Sequence, residues 1–127
     1  SQVIPTDVWT QVQLNVEFDT STVFAANVMT APIDGIYSAM ANVTWAGAGL
    51  IAEQRSMALR HNGTRLALVD SQNLIPLAQH TGALIRMLAG DTLDLVVFQN
   101  SGGDVQITGG SENDPFLSMH WVGPRPQ

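Results

Sequence analysis

The chain has 127 residues and a mass of 13.6 kDa, the size of one domain. Hydrophobic residues make up 45% and charged residues 13%, which excludes a disordered chain, and no window approaches the roughly 20 apolar residues of a membrane-spanning helix. Five arginines against eleven acids leave a net charge of −6, which argues against nucleic acid or anionic lipid as a partner, and the absence of cysteine excludes disulfides, thiol catalysis and thiolate metal sites.

The opening Ser1-Gln2-Val3-Ile4-Pro5 has neither the basic start nor the apolar stretch of a signal peptide. Pro5 is expected to hold this segment extended and outside the body of the fold, so residues 1–10 read as an N-terminal arm. Residues 11–123 form the domain and 124–127 a tail. From Val12 to Phe18 the alternation has period two, with Val12, Leu14, Val16 and Phe18 on one face, and predicts a half-buried strand. Pro32-Ile33-Asp34-Gly35 introduces a second strand, Ile36 to Trp45. Tyr37, Ala39, Ala41, Val43 and Trp45 make one apolar face; Ile36, Ser38, Met40, Asn42 and Thr44 make a mixed one, the composition of a partly buried subunit contact.

Asn62-Gly63 supplies the two positive-φ residues of a two-residue hairpin turn. The implied register pairs His61 with Thr64, Arg60 with Arg65, Leu59 with Leu66 and Met57 with Leu68. It sets two arginines opposite one another, so an acidic group or solvent must compensate them. Runs from Ala83 to Leu88 and from Thr92 to Gln99 flank the turn Ala89-Gly90-Asp91. Ser101-Gly102-Gly103-Asp104 leads into Val105 to Thr108, residues 109–115 form a loop, and Phe116 to Val122 is the last strand. About eight strands without helical periodicity predict an all-β antiparallel jelly-roll sandwich.

Three ordered stretches resemble the complement C1q and tumour necrosis factor-like family. They are residues 18–24 followed by Pro32-Ile33-Asp34-Gly35-Ile36-Tyr37, then Leu88-Ala89-Gly90-Asp91-Thr92-Leu93-Asp94-Leu95, then Phe116-Leu117-Ser118-Met119. The resemblance runs from about Leu14 to Val122. Departures at Val23, Ala39 and Ser118 point to a phage or bacterial member. The resemblance implies a C1q/TNF-like fold and a compact homotrimer that binds through its outer surface or apical loops. By position, Ile36, Ser38 and Met40, with Phe116, Ser118, His120 and Val122, would line the trimer interface.

No catalytic constellation emerges, and the reading is of a protein that is not an enzyme. His61 beside its turn reads as solvated. His120, if it faces a three-fold axis, could meet two copies of itself, but reads first as an ordinary interface histidine. Asp91 and Asp94, and Glu112 and Asp114, are the carboxylate clusters. Relatives sometimes hold calcium near the trimer apex, yet neither cluster has the dense oxygen pattern of a dedicated loop, and no metal or cofactor is expected. The matches to the glycosylation sequon at Asn42 and Asn62 read as chance. Trp45 and Trp121 fall on core faces, so packing rather than sugar stacking is expected of them. Small size and composition point to a bacteriophage virion protein, a capsid decoration or fibre head, with Gln2, Val3, Ile4 and Pro5 as the arm attaching it to a capsid or fibre protein. The alternative is a secreted or cell-surface recognition domain for glycan or protein, which would be extracellular.

Overall fold

A computed structural model describes residues 2–14, 24–46, 53–73, 77–109 and 114–124. Eleven strands appear among them: β1 (Gln2–Ile4), β2 (Thr10–Gln11), β3 (Phe24–Ala25), β4 (Val28–Thr30), β5 (Gly35–Trp45), β6 (Glu53–His61), β7 (Thr64–Asn73), β8 (Leu77–Met87), β9 (Thr92–Gln99), β10 (Val105–Ile107) and β11 (Phe116–Gly123). They form two antiparallel sheets packed face to face, the expected jelly-roll sandwich. The first sheet is built around β5. β8 pairs along its whole length on one side, while β11 and then β10, which carries β1, pair on the other. The second sheet runs β3-β4-β9-β6-β7, with β2 also on β9.

The alternation of β5 decides which way its sheet faces. Tyr37, Ala39, Ala41, Val43 and Trp45 are all buried in the core, with Met57, Leu59, Leu93, Leu95 and Val97 opposite them on β6 and β9. Hydrogen bonds from β8 satisfy the buried Trp45 indole within the first sheet and tie that sheet to the second. Gln79 of β8 accepts from the Trp45 indole N–H at 2.8 Å and donates to the Arg55 carbonyl at 2.8 Å, and Thr81 donates to the Ala67 carbonyl at 2.7 Å. At the start of β5, the Trp121 indole lies so close over Gly35 that a Cβ there would sit 2.0 Å from Nε1, so this position admits only glycine.

The Asn62-Gly63 turn forms with φ of 49° and 84°, and His61–Thr64, Arg60–Arg65 and Leu59–Leu66 pair as expected. Beyond that the register differs: Met57 faces Val69, not Leu68. A β-bulge with Ala67 at φ 51° inserts a residue into β7 and turns Leu68 out to solvent.

The N-terminal expectation is corrected as well. Gln2, Val3 and Ile4 are not a free arm but an edge strand paired with Ile107, Gln106 and Val105. Ile4 is fully buried in the core, and Gln99 donates to its carbonyl at 3.0 Å. Pro5 ends this strand instead of excluding it, because proline is tolerated at a sheet edge. The boundary drawn at residue 10 therefore does not separate an arm from a domain. The predicted strand from Val12 is displaced too. β2 ends at Gln11, Val12 continues against β9 through one bond to the Leu95 carbonyl, and Val16 and Phe18 lie outside the described residues.

Candidate functional site

The register of the first sheet brings the expected interface positions onto one surface. Ser118 lies opposite Met40, His120 opposite Ser38 and Phe116 opposite Asn42, so Ile36, Ser38, Met40, Phe116, Ser118 and His120 share the face turned away from the core. Val122 sits at a bulge between Trp121 and Gly123 and is also exposed. The sequence reading missed the other flank. β8 sets Arg86 beside Ile36, Leu84 beside Ser38, Gly82 beside Met40 and His80 beside Asn42. It begins at Leu77, well before the Ala83 expected for it, and its partner strand is remote in sequence, so only the weak alternation of Leu84 and Arg86 against Ala83, Ile85 and Met87 hinted at this face.

This surface has two physical properties. It exposes large apolar side chains: Met40 at 54%, Leu84 at 71%, Phe116 at 43% and Val122 at 56%. Its charged and titratable positions on β5, β8 and β11 are Arg86, His80 and His120, with no carboxylate among the described residues, although the chain carries eleven acids. An apolar patch free of the protein's dominant charge is what an interaction surface requires. Gln2, Val3, Ile4 and Pro5, expected to attach the protein, are instead parts of this sheet's edge or of the loop leaving it, and of the four Val3 and Pro5 are exposed.

Of the carboxylate clusters, the Asp91 and Asp94 pair is committed elsewhere. Asp91 accepts from the Leu88 backbone N–H at 2.9 Å and lies 3.0 Å from His61 Nε2. The Leu88 bond first, then Asn62 and His61, lower its pKa from 3.8 to about 2. His61 is therefore not simply solvated: it braces the turn after β8. Asp94 of β9 holds Arg60 through two guanidinium nitrogens, one at 2.9 Å, and accepts from Gln11 at 2.9 Å. The hydrogen bond to Asp94 raises the Arg60 pKa against the opposing effect of burial. Asp94 is thus the acidic group that compensates the Arg60–Arg65 pair, and Arg65 lies over the Trp9 ring at 4.4 Å. Asp91 and Asp94 are separately engaged and do not fit a calcium site; among the described residues no three acidic or histidine side chains gather to hold a metal. Glu112 lies outside the described residues, and Asp114 lines a small polar depression with Gln2 and Gln13. Trp45 is buried as expected, whereas Trp121 is 44% exposed at the sheet end, where it donates to the Asp34 carbonyl at 3.2 Å.

No family model and no curated protein matches the chain. Among solved structures it is similar to the globular domain of zebrafish complement 1qA protein, at 12% identity over 97% of each chain with a TM-score of 0.62. The shared arrangement is that of a C1q-like β-sandwich.

Proposed function

We propose that the chain is a non-enzymatic binding module that works as a homotrimer, with the outer face of the first sheet packed between copies and the rest of the surface left for recognition of an extracellular partner. The observation carrying this reading is the acid-free face on which Met40, Leu84, Phe116 and Val122 stand exposed. A second copy of the chain suits it because a three-fold contact is heterologous: one part of this face meets a different part of the same face on the next copy, and no two-fold self-complementarity is needed. The engagement of Asp91 and Asp94 in a turn and an ion pair supports a role without acid–base chemistry. Likeness to a complement globular domain supports recognition as the task.

The virion reading, a capsid decoration or fibre head, keeps the trimer and changes the partner. It ranks second because its proposed tether, Gln2 to Pro5, begins inside the first sheet, with Ile4 in the core. Light scattering after size exclusion tests the common element. A mass three times the 13.6 kDa of the chain is expected; a stable single-chain mass at tens of micromolar overturns the assembly.

A further inference from the structure

On the opposite sheet, Trp9, Arg60, Gly63, Thr64, Arg65 and Val96 line an open depression of about 320 Å³. Two of the five arginines of an acidic chain meet there as direct cross-strand neighbours. They are not equivalent. Asp94 takes Nε and Nη2 of Arg60. Arg65 is exposed, forms no ion pair among the described residues, and rests its guanidinium on the Trp9 ring, which is itself steadied by Phe98 at 5.4 Å between ring centres. A cation–π contact of this kind uses the charge of the guanidinium and none of its N–H groups as hydrogen-bond donors, so the indole positions a two-pronged donor without consuming it.

We propose that this depression binds a single carboxylate carried on a neutral, hydroxyl-rich scaffold, the chemistry of an acidic saccharide unit. The carboxylate would take the free fork of Arg65 and relieve the like-charge contact that Asp94 offsets from the Arg60 side alone. The Thr64 hydroxyl and the Gly63 backbone at the rim suit sugar hydroxyls, and Val96 gives a small apolar floor. The volume is at the small end for ligand sites, enough for one sugar unit. A net charge of −6 disfavours polyanions such as nucleic acid or heavily sulfated polymers, so the ligand is sparsely charged. The inference rests on the recognition reading above and gives it a ligand class; the site lies on the second sheet and stays open when the first is covered.

The test is a titration of the ¹⁵N-labelled full chain with sodium glucuronate to tens of millimolar, alongside glucose, sodium acetate, inorganic phosphate and heparin. Saturable shifts at the Trp9 indole N–H and the Gly63 and Thr64 amides are expected with glucuronate and not with glucose. Acetate and phosphate should bind at least about tenfold more weakly, and Arg65→Gln should weaken glucuronate by about tenfold or more, with Arg65→Lys between. Absence of saturable shifts, an unchanged Arg65→Gln, or tighter binding of heparin overturns the proposal. Acetate or phosphate equal to glucuronate means an adventitious ion only and overturns it too. Solution mass on the same samples separates the readings: a trimer that ignores glucuronate sinks this site alone, and a monomer that binds it sinks the assembly alone.

Discussion

On the outer face of the second sheet Ser56, Ala58 and Val96 are buried, whereas on the outer face of the first Met40 and Leu84 stand more than half exposed. The chain itself accounts for the difference. The segment leading into β2 lays Trp9 against Phe98 and under Arg65, so the second sheet has an intramolecular cover and an internal ion pair, Arg60–Asp94, to match. Among the described residues nothing comparable lies over β5, β8 and β11. Two sheets of one sandwich can thus be equally well packed inside and differ in what their outer surfaces still lack. The exposed first sheet is also the one whose described strands carry no carboxylate, the composition on which the proposed contact between copies rests.

The sharpest way to break that comparison is to charge the unfinished face. Met40→Glu sets a carboxylate at the centre of the surface, three copies of it in an assembled trimer, where desolvation and mutual repulsion oppose contact. The assembly should fall to single chains by light scattering while the far-ultraviolet circular dichroism of the β-sandwich is retained. A surviving trimer would mean that another surface carries it. Next in size is Ile4→Ala. If β1 is part of the sandwich, removing a fully buried side chain should cost about 2–4 kcal/mol in urea denaturation; an unattached arm would give no change.

How much of this was legible in the sequence varied with the range of the interaction. The faces of β5 followed from alternation alone, and the Asn62-Gly63 turn with its first three pairs followed from turn chemistry, because both depend on neighbouring residues. Register failed at Ala67, where a bulge formed around a residue with no glycine-like signal for positive φ. Pro5 marked the end of pairing but not the strand before it, since nothing local says that Gln2 to Ile4 finds β10 near the other end of the chain. The same limit hid half of each outer surface. Leu84 became part of a face only through β8 pairing with β5, and Trp9 met Arg65 only through β2 and β7 flanking the same sheet.

The finished face can be unsettled in a graded way. Asp94→Asn keeps the side-chain shape but removes the charge that Arg60 faces, leaving two cross-strand arginines uncompensated. About 1 kcal/mol of stability should be lost at low ionic strength, a modest figure because a third of the Arg60 side chain is in solvent. The loss should shrink as salt screens the repulsion. A loss independent of salt would assign it to the hydrogen bonds instead.

The smallest effect is expected at the turn joining the two sheets, where Asp91 accepts the Leu88 N–H and faces His61. Its pKa is depressed from 3.8 to about 2, so the native state binds a proton less readily than the unfolded chain. The stability this contributes is complete above the unfolded value and drains away as pH falls from about 4 to about 2. In Asp91→Asn the amide oxygen can still take the Leu88 bond but does not titrate. The variant should be slightly less stable than the native chain near neutrality and should lose less on acidification through that window, as read from urea midpoints at a series of pH values. Parallel curves would show that the turn is held by its backbone alone and that the carboxylate is incidental to it. Because β9 leaves this turn to carry Asp94 and Val96 on the covered face, while β8 enters it bearing Leu84 and Arg86 on the open one, a softened turn would loosen the two faces together. A change confined to the acid window, with the assembly mass unaltered, would show that the open face of the first sheet is set by its strands and not by the turn at its end.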